Sequence, residues 1–312
     1  MRLVSSEQRG GGPVSDFVPP SDWAEATRVF NEHRELLIGV AYRVLGRVSD
    51  TEDVVQDAWL HWVNARPSEV ENPQAFLVRV TTRLAIDQLR RVKTRHESYV
   101  GPWVPEPLRT DHDLTENAEL AESVSMAMLI VLETLSALER TVFVLREAFG
   151  MPYAEIAEIL GRSEPAVRQL ARRAREHVRE RRPRFDTDQA TRRRVTERFL
   201  AATVSGDLDD LLAVLAPRVT LVGDGGGRAR APLHPIYGAD KVARFLVALA
   251  SEPLPDAHLR VAQVNGGPGI VATLEGRPVA TVILDVADGV IQTIHLVANP
   301  HKLIGIRAIE TD

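Results

Sequence analysis

The chain has 312 residues, 44% of them hydrophobic and 26% charged, with a net charge of −5 and no cysteine. That length makes two or three domains, each able to bury a core. The composition excludes a disulfide scaffold, a thiolate metal centre and a uniformly basic nucleic-acid binder, and no apolar run is long enough to span a bilayer. Residues 1–22 are rich in Gly, Ser and Pro without an apolar targeting core, so a disordered tail and a cytoplasmic location are expected. From residue 23 a helical domain is predicted to run to 95. Phe30, Leu37, Val40 and Val44 recur at helical spacing, and Gly46 ends that helix. Ser49 or Asp50 is placed to cap the next, with Glu52 and Asp53 in its first turn and Trp59 and Trp62 in the core. A third helix opens with Asn72 as N-cap and Pro73 at the first position, and Phe76, Val80 and Leu84 form its apolar stripe.

Residues 96–120 form a linker, stiffened by "GPWVPEP" at 101–107, whose three prolines exclude helix. Residues 121–184 are helical again. From 186 to 312 the pattern is α+β: helices near 188–204, 207–215 and 238–250, then strand-like runs separated by Gly and Asp-Gly pairs.

Charge is unevenly distributed. Residues 162–184 hold nine arginines against three glutamates, and 79–95 hold six bases against Asp87 alone. Residues 50–57, "DTEDVVQD", carry four carboxylates and no base. The arginine-rich stretch "YAEIAEILGRSEPAVRQLARRARE" (153–176) has helix-turn-helix spacing: Ile156 and Leu160 face Val167 and Leu170, Ala157 is small at the crossing, and Gly161 takes the left-handed turn. Ser163 caps the second helix, whose exposed face carries Glu164, Arg168, Gln169, Arg172 and Arg173. Arginine suits guanine or phosphate and glutamine suits adenine. On the Pro73 helix, Arg79, Arg83 and Arg90 share a narrow sector opposite the apolar stripe, with Arg91 beside it, a face able to track a phosphate backbone. The acidic stretch lacks a histidine and needs no metal; it suits a basic protein partner better.

The ordered set "FNEHRELLIGVAYRVLGRVSDTEDVVQDAWLHW", "NPQAFLVRVTTRLAIDQLRR" and "LSALERTVFVLREAFGMPYAEIAEILGRSEPAVRQLARRARE" resembles the extracytoplasmic-function sigma factors, initiation subunits of bacterial RNA polymerase. The resemblance covers roughly 23–95 (region 2) and 121–184 (region 4). It implies that Asp50, Glu52, Asp53, Gln56 and Asp57 bind the β′ clamp helices of core polymerase and that region 4 meets the β flap. It also implies that the Pro73 helix and the loop 65–72 read the melted −10 promoter element, and that the helix-turn-helix reads the −35 element. The commoner family pattern has asparagine where this chain has Arg83, which bears on base assignment rather than on the general role. "GPWVPEP", "DGGGR" (224–228) and "VANPHKL" resemble markers of the subgroup with a C-terminal SnoaL-like extension. That implies an NTF2/SnoaL-like, cone-shaped α+β barrel at 186–312, a pocket able to take a small-molecule ligand, and regulation in cis without a dedicated anti-sigma protein. Trp103, Pro105, Glu106 and Pro107 would then face Asp224, Gly225, Gly226 and Gly227, with Trp103 as anchor in a hydrophobic pocket.

Two other functions fit parts of the sequence. A one-component regulator explains 121–312 and leaves 23–95 idle. A SnoaL-like enzyme would draw on Asp224, His234, Tyr237, Asp285 or His295, but sequence brings no pair of them within reach, so no catalysis, cofactor or metal is expected.

Overall fold

The computed structural model describes residues 21–96, 99–110, 125–181, 188–251 and 257–306. Of the expected tail at 1–22, residues 1–20 lie outside them and 21–22 open the first helix; linker residues 97–98 and 111–120, and residues 121–124 and 182–184 of the second helical stretch, also lie outside them.

The first unit is three helices: α1 (Ser21–Leu45), α2 (Val48–Asn64) and α3 (Pro73–His96). Leu37, Val40, Ala41 and Val44 of α1 are fully buried against Trp62 of α2 and Leu77 and Ala85 of α3. Trp62 also anchors the α1–α2 pair through its indole, which donates to the Ala26 carbonyl at 2.9 Å. Gly46 stops α1 in a left-handed conformation (φ 68). Asn72 caps α3, its side chain accepting from the Ala75 N–H at 3.0 Å. The start of α2 differs from expectation. The N-cap is Arg47, whose side chain makes no cap hydrogen bond, and Ser49 and Asp50 already lie inside the first turn. The cap comes from elsewhere in the chain, as described below.

The second unit comprises α4 (Met126–Glu133), α5 (Ala137–Phe143) running into a π-helical turn at Val144–Ala148, α6 (Tyr153–Leu160) and α7 (Glu164–Arg181). Ser136 and Glu139 make a full capping box on α5. Leu129, Val142, Ile156, Val167 and Ala174 continue the same buried cluster as Val40 and Trp62. The two helical units therefore share one core.

The third unit packs α8 (Gln189–Ser205), α9 (Leu208–Val214) and α10 (Ala239–Ala250) on a six-stranded sheet. The strands are β1 (Leu215–Asp224), β2 (Ile236–Tyr237), β3 (Ala257–Val264), β4 (Gly267–Leu274), β5 (Arg277–Ala287) and β6 (Val290–Val297), in the order β2-β1-β6-β5-β4-β3. All neighbours are antiparallel except β1 and β6. The hairpins turn on Asn265-Gly266, Glu275-Gly276 and Asp288-Gly289, every residue of the three pairs at positive φ. That is the handedness a two-residue hairpin needs. Alternation along the strands makes two apolar faces. Leu221, Leu284 and Ile294 meet Phe199, Leu211 and Val242 of the helices. Val264, Val271, Ile283 and Val297 face the other way and bury Val104 of the linker, Met126 of α4, and Leu303 and Ile306. This second face joins the α+β unit to the helical ones.

Candidate functional site: a helix-turn-helix and a three-part junction

The turn between α6 and α7 has the predicted geometry. Gly161 sits at φ 61, ψ 42, and the Arg162 N–H returns to the Ala157 carbonyl at 3.0 Å. Ile156 and Val167 are fully buried, which fixes the crossing. The Ser163 carbonyl receives the Val167 N–H at 3.1 Å, so Ser163 stands at the cap position. Arg168, Gln169, Arg172 and Arg173 are exposed, with Glu164 half-buried. The arginines are held by weak surface pairs: Arg168 with Glu164, Arg172 with Glu176 at 2.9 Å, and Arg173 with Glu139 at 3.2 Å. Solvent screens such surface pairs and makes them weak, so a phosphate can displace them.

The basic row on α3 is not the single open face that spacing suggests. Arg90 and Arg91 are exposed, and Arg90 pairs with Asp87 at 3.3 Å. Arg79 is half-buried, with its Nε enclosed. Arg83 turns toward α6, where its Nε donates to the Ile159 carbonyl at 3.0 Å. The reason is packing: α3 lies against the second unit, so part of its polar face becomes an internal boundary.

On α2, Glu52, Asp53, Gln56 and Asp57 are exposed as expected. Asp50 is not. It is buried, paired with Arg47 at 2.9 Å and accepting from Gln88 of α3 at 2.9 Å, so its carboxylate ties α2 to α3 instead of joining the outer patch. Beside the patch, Phe30, Asn31, Arg34, Glu52, Gln56 and Trp59 line an open cleft of about 360 Å³ between α1 and α2. Phe30 and Trp59 meet edge to face at 5.2 Å.

Residues 99–110 run between the helical units and the sheet, and both sides grip them. Asp224, at the end of β1, is completely buried. One carboxylate oxygen accepts from the Tyr99 hydroxyl; the other accepts from the Val104 N–H at 2.9 Å and the Lys302 ammonium at 2.6 Å. Lys302 also donates to the Val104 carbonyl at 2.5 Å and lies 3.1 Å from the Trp103 ring centroid. Burial lowers the Lys302 pKa to about 8 despite the pull of Asp224. Arg47 approaches Trp103 too, at 5.2 Å from the ring centroid. Trp103 is thus half-buried in a cationic cage, and the residue inserted in the apolar cluster is Val104. Proline stiffness placed the motif correctly, but the alternation of side chains along it decided which residue enters.

Glu106 supplies the missing cap of α2. Its carboxylate accepts from the Val48 N–H at 2.8 Å and lies 3.4 Å from the Arg47 guanidinium. Burial pushes its pKa up, with Arg47 and the two backbone donors opposing. The Glu106 carbonyl accepts from the Tyr42 hydroxyl at 2.7 Å, and Tyr42 in turn accepts from Asn265 Nδ2 at 2.8 Å. Pro105 and Pro107 are buried beside it. The glycines of 225–227 serve close approach: a Cβ on Gly226 would lie 2.3 Å from Asn299 Nδ2, and one on Gly225 2.3 Å from the Ala229 carbonyl oxygen. Tyr99, Val104, Asn265, Asn299 and Lys302 were not named as site residues. Val104, Asn299 and Lys302 fall within the motifs GPWVPEP and VANPHKL that the sequence singles out, whereas Tyr99 and Asn265 look ordinary and only their shared neighbours mark them.

Of the residues considered for catalysis, Asp285 and His295 do meet, with His295 Nε2 2.7 Å from Asp285 Oδ2, both buried on adjacent strands. Asp224 is committed to the junction, while His234 and Tyr237 are exposed. No helix among the described residues is long and apolar enough to cross a membrane.

The family model described as "Sigma-70 region 2" matches residues 29–95, and "Sigma-70, region 4" matches 125–178. The chain is similar to the ECF RNA polymerase sigma factor SigJ of Mycobacterium tuberculosis, 38% identical over 290 residues, covering 88% of this chain and 92% of that one. It is also similar to the probable ECF RNA polymerase sigma factor SigI of the same organism, 34% identical over 280 residues, 88% and 94% covered. The crystal structure of M. tuberculosis SigJ superposes with a TM-score of 0.71 at 38% identity, covering 89% of this chain and 98% of that chain. The likeness to SigJ thus extends through the α+β unit.

Proposed function

The chain belongs to the extracytoplasmic-function sigma-70 family, and from that premise we propose that its three units divide promoter initiation among them. It is a sigma factor: it binds RNA polymerase core and directs transcription from promoter DNA. The exposed α7 face, with Arg168, Gln169, Arg172 and Arg173, reads the −35 duplex. The α3 helix and the loop before it read the −10 element. Glu52, Asp53, Gln56 and Asp57, with the adjoining aromatic cleft, receive the β′ clamp helices, and the second helical unit meets the β flap. The α+β unit regulates these contacts in cis and takes the place of a separate anti-sigma protein.

The observation that carries the regulatory part is the double grip on the linker. Asp224 and Lys302 hold Val104 from the third unit. Two residues later Glu106 caps the helix that bears the acidic patch. Run-off transcription with core polymerase tests the whole reading. Full-length protein is compared with Asp224→Asn and with a chain ending after Arg184. Loss of the junction should change activity while polymerase binding persists, and Asp53→Arg should weaken that binding. Transcription by none of the forms would reject the sigma assignment, and equal activity in all three would reject regulation in cis.

A further inference from the structure

An α-helix leaves its last four carbonyls without backbone donors, and a guanidinium placed there satisfies them and complements the helix dipole. Two such places lie at the boundary between the helical units. At the end of α6, the Ile159 carbonyl receives Arg83 Nε from α3 at 3.0 Å. At the end of α1, the Arg43 carbonyl receives Arg140 Nε from α5 at 3.3 Å. The two caps run in opposite directions: the first unit caps a helix of the second, and the second caps a helix of the first. Arg140 is 1% exposed and steadied by Glu133 at 3.2 Å. The Arg43 side chain adds a third crossing contact, stacked on Phe149 at 5.1 Å.

We propose that these reciprocal arginine caps are a latch that holds the helix-turn-helix against the α3 helix. While it is closed, Arg83 is engaged by α6 and Arg79 is half-buried, so that part of the α3 row is withheld from a phosphate backbone. Releasing the latch frees Arg83 and shifts the docking equilibrium of the two units, which otherwise rests on their shared core. Arg83 is the releasable half, since it lies at the rim with much of its side chain in solvent. Arg140, enclosed and doubly held, is the permanent half. What the latch does to promoter use rests on the function proposed above; the latch itself is a matter of distance.

The absence of native cysteine allows a direct measurement. Spin labels at Gln74→Cys on α3 and Glu180→Cys on α7, both exposed sites, report the separation of the units in the full-length chain by pulsed dipolar spectroscopy. The parent should give one dominant short distance. Arg83→Ala and Arg83→Asn, which cannot reach Ile159, should raise the ratio of long to short distances about tenfold, the scale of one charge-assisted hydrogen bond. Arg83→Lys should fall between them and the parent. Arg90→Ala removes the same charge from the same helix without touching α6 and should match the parent. An Arg83→Ala distribution indistinguishable from that of Arg90→Ala overturns the latch, as does a parent already spread over long distances. Neither result depends on transcription, so failure of the latch and failure of the sigma assignment are read separately.

Discussion

The pair Asp224–Lys302 sets the strength of the junction, and a double-mutant cycle measures it. Lys302→Met keeps the length of the side chain and removes its charge. The ammonium lies 2.6 Å from Asp224, and the two side chains are 3% and 0% exposed. Removing one member of a buried pair leaves the other charge uncompensated, at about 3–5 kcal/mol. Asp224 keeps the Tyr99 hydroxyl and the Val104 N–H, which places the cost near the lower end, about 3 kcal/mol. Asp224→Asn leaves Lys302 with the Val104 carbonyl and the faces of Trp103 and Tyr99 but no carboxylate partner, at a similar cost. The double variant buries no charge and should recover much of the loss, since a neutral replacement of a buried pair is often close to neutral. With about 3 kcal/mol lost in each single variant and about 1–2 kcal/mol in the double, the expected coupling is about 4–5 kcal/mol, read from urea midpoints at unchanged m-value. Additivity within about 0.5 kcal/mol would refute the pairing. The pH dependence provides a second reading. The folded pKa of Lys302, about 8, lies below its ordinary 10.5. The unfolded chain therefore binds more protons between those values, and stability should rise with pH across that window. Lys302→Met should abolish the rise.

The remaining predictions concern the same contacts. Burial raises the Glu106 pKa above its ordinary value, so its contribution is complete at low pH and is lost as pH rises through the folded value; Glu106→Gln should flatten that slope. Glu106→Ala should cost about 1–2 kcal/mol through the lost cap and lower the hydrogen-exchange protection of the first turn of α2. Gly226→Ala forces a Cβ to within 2.3 Å of Asn299 at φ 56 and should destabilise by about 2 kcal/mol or more, with greater proteolysis at residues 99–110, whereas Gly276→Ala, with open space around it, should leave the linker protected. Arg172→Glu should abolish −35-dependent transcription while leaving the melting curve close to that of the parent, because the side chain is exposed; retained transcription would remove Arg172 from the reading face.

What sequence could show followed from what is local. The helix-turn-helix was legible because its determinants lie within 24 residues: an apolar spacing, a left-handed glycine and an exposed arginine face. The hairpins were legible from their X–Gly pairs for the same reason. The α2 N-terminus was misread because a carboxylate 58 positions away supplies the cap, so no local pattern could reveal it. Asp50 looked like part of an acidic surface because periodicity does not distinguish an outward carboxylate from one turned toward Arg47 and Gln88. Arg79 looked solvated and Arg83 looked unengaged because the docking of the two helical units is a property of neither helix alone. Lys302 was legible only as a letter of the VANPHKL motif: its role as partner of Asp224 and Trp103 depends on residues 78 and 199 positions away.

The linker connects these misread residues. Between Tyr99 and Thr110 its groups point alternately to the two sides: Tyr99 and Val104 to Asp224 and the sheet, Glu106 to the start of α2, and Leu108 and Thr110 back to the β3–β4 turn through Asn265, Gln263 and Gly266. An extended segment without internal helix or hairpin hydrogen bonds has little structure of its own, so its conformation is set by these outside partners. A perturbation that shifts Val104 therefore shifts Glu106, two residues on, and with it the cap of α2. The α2 helix carries the acidic patch, and the α1–α2 turn adjoins Arg140, since a Cβ at Gly46 would meet its guanidinium at 3.0 Å and Pro105 at 3.8 Å. The grip of the third unit on the linker and the latch between the helical units thus meet at one glycine turn. Loosening the first removes support from the second, which makes Gly46→Ala the variant expected to disturb both at once.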